Sequence, residues 1–216
     1  MEVSKNLIIL KDNVIDFCNS RDDIVGFCGR ISKNLLYKSI LPQKQPVQKL
    51  IEKISTHNFS NTKNILDSII KANYEMKWNT TYSENEVGAD FINRYGWFDL
   101  IGPSGPFYLS NNRIMIGYWG VNLDYQMHWH KAEEAYVPIA GSALFWSEHN
   151  GTKTASIGDI VIHKSNEKHW TKMTNDFLLA LAIWKGKDLS VNPTISSQDG
   201  SKLFEVKEKN KNNLVY

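Results

Sequence analysis

Near residue 88 the spacing of apolar residues changes from steps of three and four to steps of two, and this change most constrains the fold. Upstream, Leu7, Leu10, Val14 and Phe17 form one stripe, and Ile24, Phe27, Ile31 and Leu35 a second. Val47, Leu50, Ile51 and Ile54 make a third, and Ile65, Ile69, Ile70 and Tyr74 a fourth. Side chains so spaced share one face of a helix, so the spacing predicts four helices. Ser20 is expected to cap the second, ahead of Asp22 and Asp23, whose charges suit the positive end of a helix dipole. Pro42 and Pro46 punctuate the third, and Asn58 to Asn61 offers a cap region for the fourth.

From about Phe91 to Leu189 short apolar or alternating runs take over, among them Trp97 to Ile101, Arg113 to Trp119 and Ala135 to Ala140. Ala143 to Ser147, Asp159 to His163 and Phe177 to Trp184 continue the series. Turn sequences separate them: Gly102-Pro103-Ser104-Gly105-Pro106, Asn111-Asn112, and Asn150-Gly151, whose two residues tolerate positive φ and signal a hairpin. Six of the seven tryptophans fall here, as suits half-buried pleated surfaces. The expected architecture is mainly β, a jelly-roll barrel preceded by a helical module. Its parts are a helical module over 1–88, a barrel over 89–190, and a polar tail or edge strand over 191–216.

Charge narrows the function. Lys and Arg total 25 against 23 Asp and Glu, a net +2, and the four arginines (Arg21, Arg30, Arg94, Arg113) are scattered. A nucleic-acid binder would concentrate its basic residues on one face. Cys18 and Cys28 read as buried thiols of a reducing compartment. The Leu7–Leu10 run is far too short for a membrane span, and the first residues lack the pattern of a signal peptide. A soluble cytoplasmic protein is expected, without nucleic-acid or membrane partners.

The chemistry concentrates in His128-Trp129-His130-Lys131-Ala132-Glu133-Glu134-Ala135-Tyr136. On one strand, His128 and His130 would share a face, and Glu134 and Tyr136 keep the same parity. Two imidazoles and a carboxylate suit a borderline-hard divalent ion: Fe(II), Mn(II), Zn(II) or Ni(II). A fourth ligand must come from another strand, and both His163 and His169 stand downstream.

The spacing of His128, His130, Glu134 and Gly141 matches the first motif of the cupins, and Gly158 to His169 resembles the second. By this resemblance the metal ligands are His128, His130, Glu134 and His169. His163 stands where cupins usually carry proline, a departure that keeps it as the alternative ligand. A narrower resemblance, over roughly Phe98 to Leu189, is to the cupin dimethylsulfoniopropionate (DMSP) lyases. It is carried by Phe98 to Phe107, by Tyr125 to Tyr136, and by Leu178 to Gly186. Its specific element is a tyrosine two residues beyond the metal carboxylate. Lys187 departs from the acidic residue expected after Gly186.

The resemblance implies a carbon–sulfur lyase that splits a sulfonium carboxylate by β-elimination into dimethyl sulfide and acrylate. A divalent metal would bind the substrate carboxylate, Tyr136 would take the α-proton, and Tyr125 would orient substrate or act as base in its place. Trp119, Tyr118 and Trp184 are candidates to face the sulfonium. The helical module offers a surface for a homodimer. The competing readings are another metal-dependent cupin enzyme, a dioxygenase or isomerase, and a non-catalytic binding protein.

Overall fold

The computed structural model describes residues 3–186, 188–191, 193–196 and 202–205. Lys187 and most of the polar tail lie outside the described residues. The helices are α1 (Lys5–Ser20), α2 (Asp22–Cys28), α3 (Gln48–Ile51), α4 (Lys63–Ala72), α5 (Glu84–Val87) and α6 (Ala89–Arg94). The strands are β1 (Leu36–Tyr37), β2 (Tyr95–Ile101), β3 (Phe107–Tyr108), β4 (Asn112–Trp119), β5 (Asp124–Trp129) and β6 (Glu133–Ser147). They continue with β7 (Gly151–Ser156), β8 (Val161–His163), β9 (His169–Lys172), β10 (Leu178–Lys185), β11 (Thr194–Ser196) and β12 (Leu203–Glu205). None of the described helices is long and apolar enough to cross a membrane.

Helix ends differ from the periodic reading. Gly29, at φ 77°, terminates α2, so Ile31 and Leu35 fall in irregular chain although Ile31 stays buried. Arg21, not Ser20, occupies the cap position of α2, and the Ser20 hydroxyl instead donates to the Phe17 carbonyl at 2.8 Å. Asp22 and Asp23 do lie in the first turn of α2.

The sheet order is β1-β3-β2-β4-β10-β6-β9-β5-β11-β12, with β7 and β8 also paired to β6. The two apolar runs expected as separate strands, Ala135 to Ala140 and Ala143 to Ser147, form the single strand β6. Its first half pairs with β10 and β8, its second with β7 and β9, so β6 passes from one side of the barrel to the other. The passage occurs at Gly141, whose φ is 75° and whose missing Cβ would lie 1.8 Å from the Phe177 carbonyl oxygen. The Asn150-Gly151 turn closes the β6–β7 hairpin as expected.

The strands β2, β4, β10 and the first half of β6 are buried on both faces. Phe98, Ile114, Ile116, Val137, Leu181 and Ile183 face outward and share one core with Leu10, Ile15, Ile65 and Ile69 of the helices. Their alternate residues Tyr95, Met115, Trp119, Tyr136, Ala182 and Trp184 face the barrel interior. A sheet covered on both sides needs apolar residues at nearly every position, hence the unbroken runs in β4 and β10.

Replacing Gly141 by alanine should therefore cost about 2–5 kcal/mol, combining positive-φ strain with an irreparable backbone clash. Denaturant melts of Gly141→Ala against wild type check this, and an unchanged midpoint would contradict it.

Candidate metal centre

Strand β5 ends at Trp129, residues 130–132 turn, and β6 opens at Glu133. The expectation that four site residues share one strand face thus holds only in part. His128 is the penultimate residue of β5, Glu134 and Tyr136 point inward from β6, and His130 sits in the turn between them. The Asn166 amide donates to the His130 carbonyl at 2.8 Å, so the β8–β9 loop holds this turn in place. His169 opens β9, in register opposite His128.

Each of three imidazoles spends its Nδ1 on a backbone carbonyl two residues away. His128 reaches the Gln126 carbonyl at 2.7 Å, His130 that of Ala132 at 3.0 Å, and His169 that of Glu167 at 2.8 Å. A carbonyl accepts only, so each Nδ1 carries the hydrogen and each Nε2 is left with a lone pair. All three rings and Glu134 are buried. The Glu134 Oε2 lies 3.2 Å from the Nε2 of both His130 and His169, while Oε1 accepts the Trp184 indole N–H at 2.6 Å. The His169 Nε2, though close to the carboxylate, makes no hydrogen bond.

Lone pairs and a carboxylate buried together repel one another, and a cation resolves the conflict. Ligand atoms of His128, Glu134 and His169 lie within 4.8 Å of one another, and this trio can hold a divalent metal ion. Nitrogen and oxygen donors of this kind accept several metals. His130 flanks the trio through Glu134. His163 lies outside it: the ring stacks on His169 at 4.1 Å and 8°, and both its nitrogens lack partners. Burial first, then the neighbouring His169, brings His163 down to about 3, so it is neutral.

Electrostatics fit this assembly. Burial and then His169 push His128 well below the usual imidazole range. For Glu134 burial acts upward, but the neighbouring His130 and His169 outweigh it and hold the carboxyl well below its usual range. Burial and then Glu134 push the Tyr136 phenol well above 10.

A cavity opens against Glu134, with Tyr95, Trp119, Tyr125, Tyr136 and Trp184 in its wall. Trp119 folds over Gly117, where a Cβ would meet its ring at 2.4 Å. Tyr118 instead points to the outer face and stacks on Phe177, away from the cavity. Trp129 also lies outside, under Lys168. Several wall residues escaped the sequence reading. Arg113 pairs with Asp99 at 2.6 Å, and its guanidinium sits 5.0 Å from the Trp97 ring centroid and 5.1 Å from that of Trp184. Thr81 and Tyr82 come from the segment before β2, carried in by the Asn79–Trp97 bridge. Inward parity on β2 and β4 marks Tyr95, Trp97 and Arg113, whereas no local pattern marks Thr81 or Tyr82.

The model of the DMSP lyase family matches residues 20–180 of this chain. The chain belongs to the DMSP lyase family. The match extends well upstream of Phe98, into the helices. The DMSP lyase DddQ of Ruegeria pomeroyi is 30% identical over 177 residues, 82% of this chain and 87% of that protein. A crystal structure of this DddQ superposes with a TM-score of 0.81 at 28% identity, covering 89% of this chain and 97% of that one. Another, from work on the DMSP lyases RdDddP and RnDddQII, gives 0.84 at 30% identity over 89% of this chain and 98% of that one. The fold is accordingly the mainly β barrel of the cupin-like DMSP lyases with helices before it.

Two outcomes follow for a DMSP lyase site built this way. Metal titration by calorimetry should lose more than about 100-fold in affinity in His169→Ala and Glu134→Gln, but not in His163→Ala. Equal losses in all three would contradict the trio. Separately, Glu167 accepts from the Lys164 amide at 2.7 Å and the His149 amide at 3.1 Å, tying two loops together. Burial acts upward on this carboxyl, but bonds from Ser147 and these amides outweigh it and bring it to about 2. The folded value lies below the unfolded one, so the stabilisation is full above the unfolded pKa and fades as pH falls toward 2. Glu167→Gln should cost about 1–3 kcal/mol at pH 7, with the gap closing between pH 5 and 2 in pH-dependent melts.

Proposed function

We propose that this chain cleaves DMSP by β-elimination into dimethyl sulfide and acrylate, with Tyr136 as the base. The observation that carries the reading is that Tyr136 and Glu134, one of the metal trio, line one aromatic cavity in a chain of this family. His130 completes the ligand set with His128, Glu134 and His169. Its Nε2 sits on the same carboxylate oxygen as that of His169.

Bound there, a divalent metal would supply Lewis acidity to the substrate carboxylate, stabilising the negative charge that grows when the α-proton leaves. Tyr136 removes that proton. Burial makes its phenol a weaker acid than usual, so a dication alongside must offset this before a phenolate forms. Trp119 and Trp184 line the cavity, and Trp119, whose ring does not carry the Arg113 guanidinium, favours the sulfonium end. Trp184 also fixes Glu134 through its indole N–H. The carbon–sulfur bond breaks as the double bond forms, and the sulfur leaves as neutral dimethyl sulfide without a general acid. Tyr125, whose ring lies 4.1 Å from His128, orients substrate from the other side.

Headspace dimethyl sulfide from protein loaded with Fe(II) or Mn(II) and given DMSP tests this. Wild type should yield dimethyl sulfide and acrylate in equal amounts, Tyr136→Phe should lose about 10²–10⁴-fold in kcat, and His130→Ala should lose metal and activity together. No product from folded, metal-bound protein would refute the assignment. Full activity in Tyr136→Phe would move the base elsewhere and favour an oxygenase-like use of the site.

A further inference from the structure

Strands β7 and β8 both pair with β6, β7 along Ser142 to Ser147 and β8 along Glu134 to Tyr136, and neither pairs with the other. Where they part, a second cavity opens, lined by residues of both strands. It shares no residue with the cavity at Glu134. One of its wall residues is His163, which the lyase reading leaves without a task.

Register puts Glu134 opposite His163 and Tyr136 opposite Val161, so His163 and Val161 point to the same inner face. The His163 ring is 1% exposed, and neither of its nitrogens has a hydrogen-bond partner. A buried polar atom without a partner is costly, and a ligand in the cavity removes that cost. In either tautomer the imidazole offers at least one N–H. Lys153 supplies a charge. It lies opposite Phe145 on β6, so its side chain leaves β7 on the face that Phe145 shares. Lys153 is exposed and has no ion-pair partner among the described residues. Among the described residues no carboxylate lines this cavity. Glu134 and Glu167 are the carboxylates whose charge reaches His163, and both are engaged: Glu134 at the metal centre, Glu167 by the His149 and Lys164 amides. The Asn150 side-chain amide in the wall is spent on the Ser147 hydroxyl at 3.2 Å. Phe145, Ile160, Val161 and Ile162 leave much of the remaining wall apolar. One cation, one N–H and an apolar wall match a singly charged head on a short hydrocarbon tail, whereas a phosphate needs more donors than these.

We infer that the cavity between β7 and β8 is a second ligand site, which takes a small monocarboxylate. Lys153 and His163 hold its carboxylate, and Phe145 and Val161 meet its hydrocarbon end. On the lyase reading above, acrylate belongs to this class, so the reaction's own product can occupy the site. The His163 ring stacks on that of His169, so the occupant sits one ring away from a metal ligand.

The test titrates full-length, Zn(II)-loaded protein carrying labelled isoleucine methyl groups with acrylate and with butyrate, followed by NMR. Ile160 and Ile162 line this cavity and not the one at Glu134, so their methyl resonances report on it separately. Both acids should shift these two resonances to saturation. Lys153→Gln, at an exposed position, should weaken that binding about tenfold. His163→Phe, which keeps a flat ring beside His169 but removes both nitrogens, should weaken it by a similar factor. Butyramide, with the shape of butyrate and no charge, should bind at least about tenfold more weakly. Unmoved Ile160 and Ile162 resonances, equal binding of butyramide, or wild-type affinity in both variants would overturn the site. Binding of butyrate without acrylate would overturn the product as its occupant. The shifts are read without turnover, so a protein that releases no dimethyl sulfide would sink the lyase reading and leave the site standing.

Discussion

A carboxylate buried among imidazole lone pairs is costly unless something positive joins it, and the structure is arranged around that demand. Glu134 is 2% exposed and meets the nitrogens of His130 and His169 on one oxygen and an indole N–H on the other. Three backbone carbonyls fix the tautomers that aim Nε2 inward. The strands deliver these groups from separate parts of the chain: His128 from β5, Glu134 from β6, His169 from β9 and Trp184 from β10. Register does the placing, with His128 opposite His169 and Trp184 opposite Glu134.

Rigidity at this centre derives from burial on both sides of the sheet. Helices α1, α2 and α4 cover the outer face of β2, β4, β10 and the first half of β6, so that the inner face is free to hold polar work. The Asp99–Arg113 pair lies between Trp97 and Trp184, and a buried ion pair of this kind favours one arrangement more than it adds stability. Held by Arg113, Trp184 in turn holds Glu134.

Much of this was legible in the sequence. The switch from helical to strand spacing located the helices and the barrel strands, because a face that must be buried repeats with the period of its element. Of the four ligands that the cupin resemblance implied, His128, Glu134 and His169 have ligand atoms within 4.8 Å of one another. His130 reaches Glu134 from a turn and not from a strand face, because residues 130–132 turn, and a tight turn leaves no mark when it lacks glycine or proline. Strand spacing did not show that β6 runs unbroken, because only the Phe177 carbonyl against Gly141 reveals the bend. Thr81 and Tyr82 were invisible for another reason: their place depends on a bridge between Asn79 and Trp97, a long-range contact with no local signature.

X-ray absorption on the protein loaded with one equivalent of Zn(II) measures the composition of the metal's surroundings directly. Three imidazole nitrogens and one carboxylate oxygen at about 2.0–2.2 Å are predicted. A spectrum with sulfur ligands, or with fewer than two imidazoles, would contradict it.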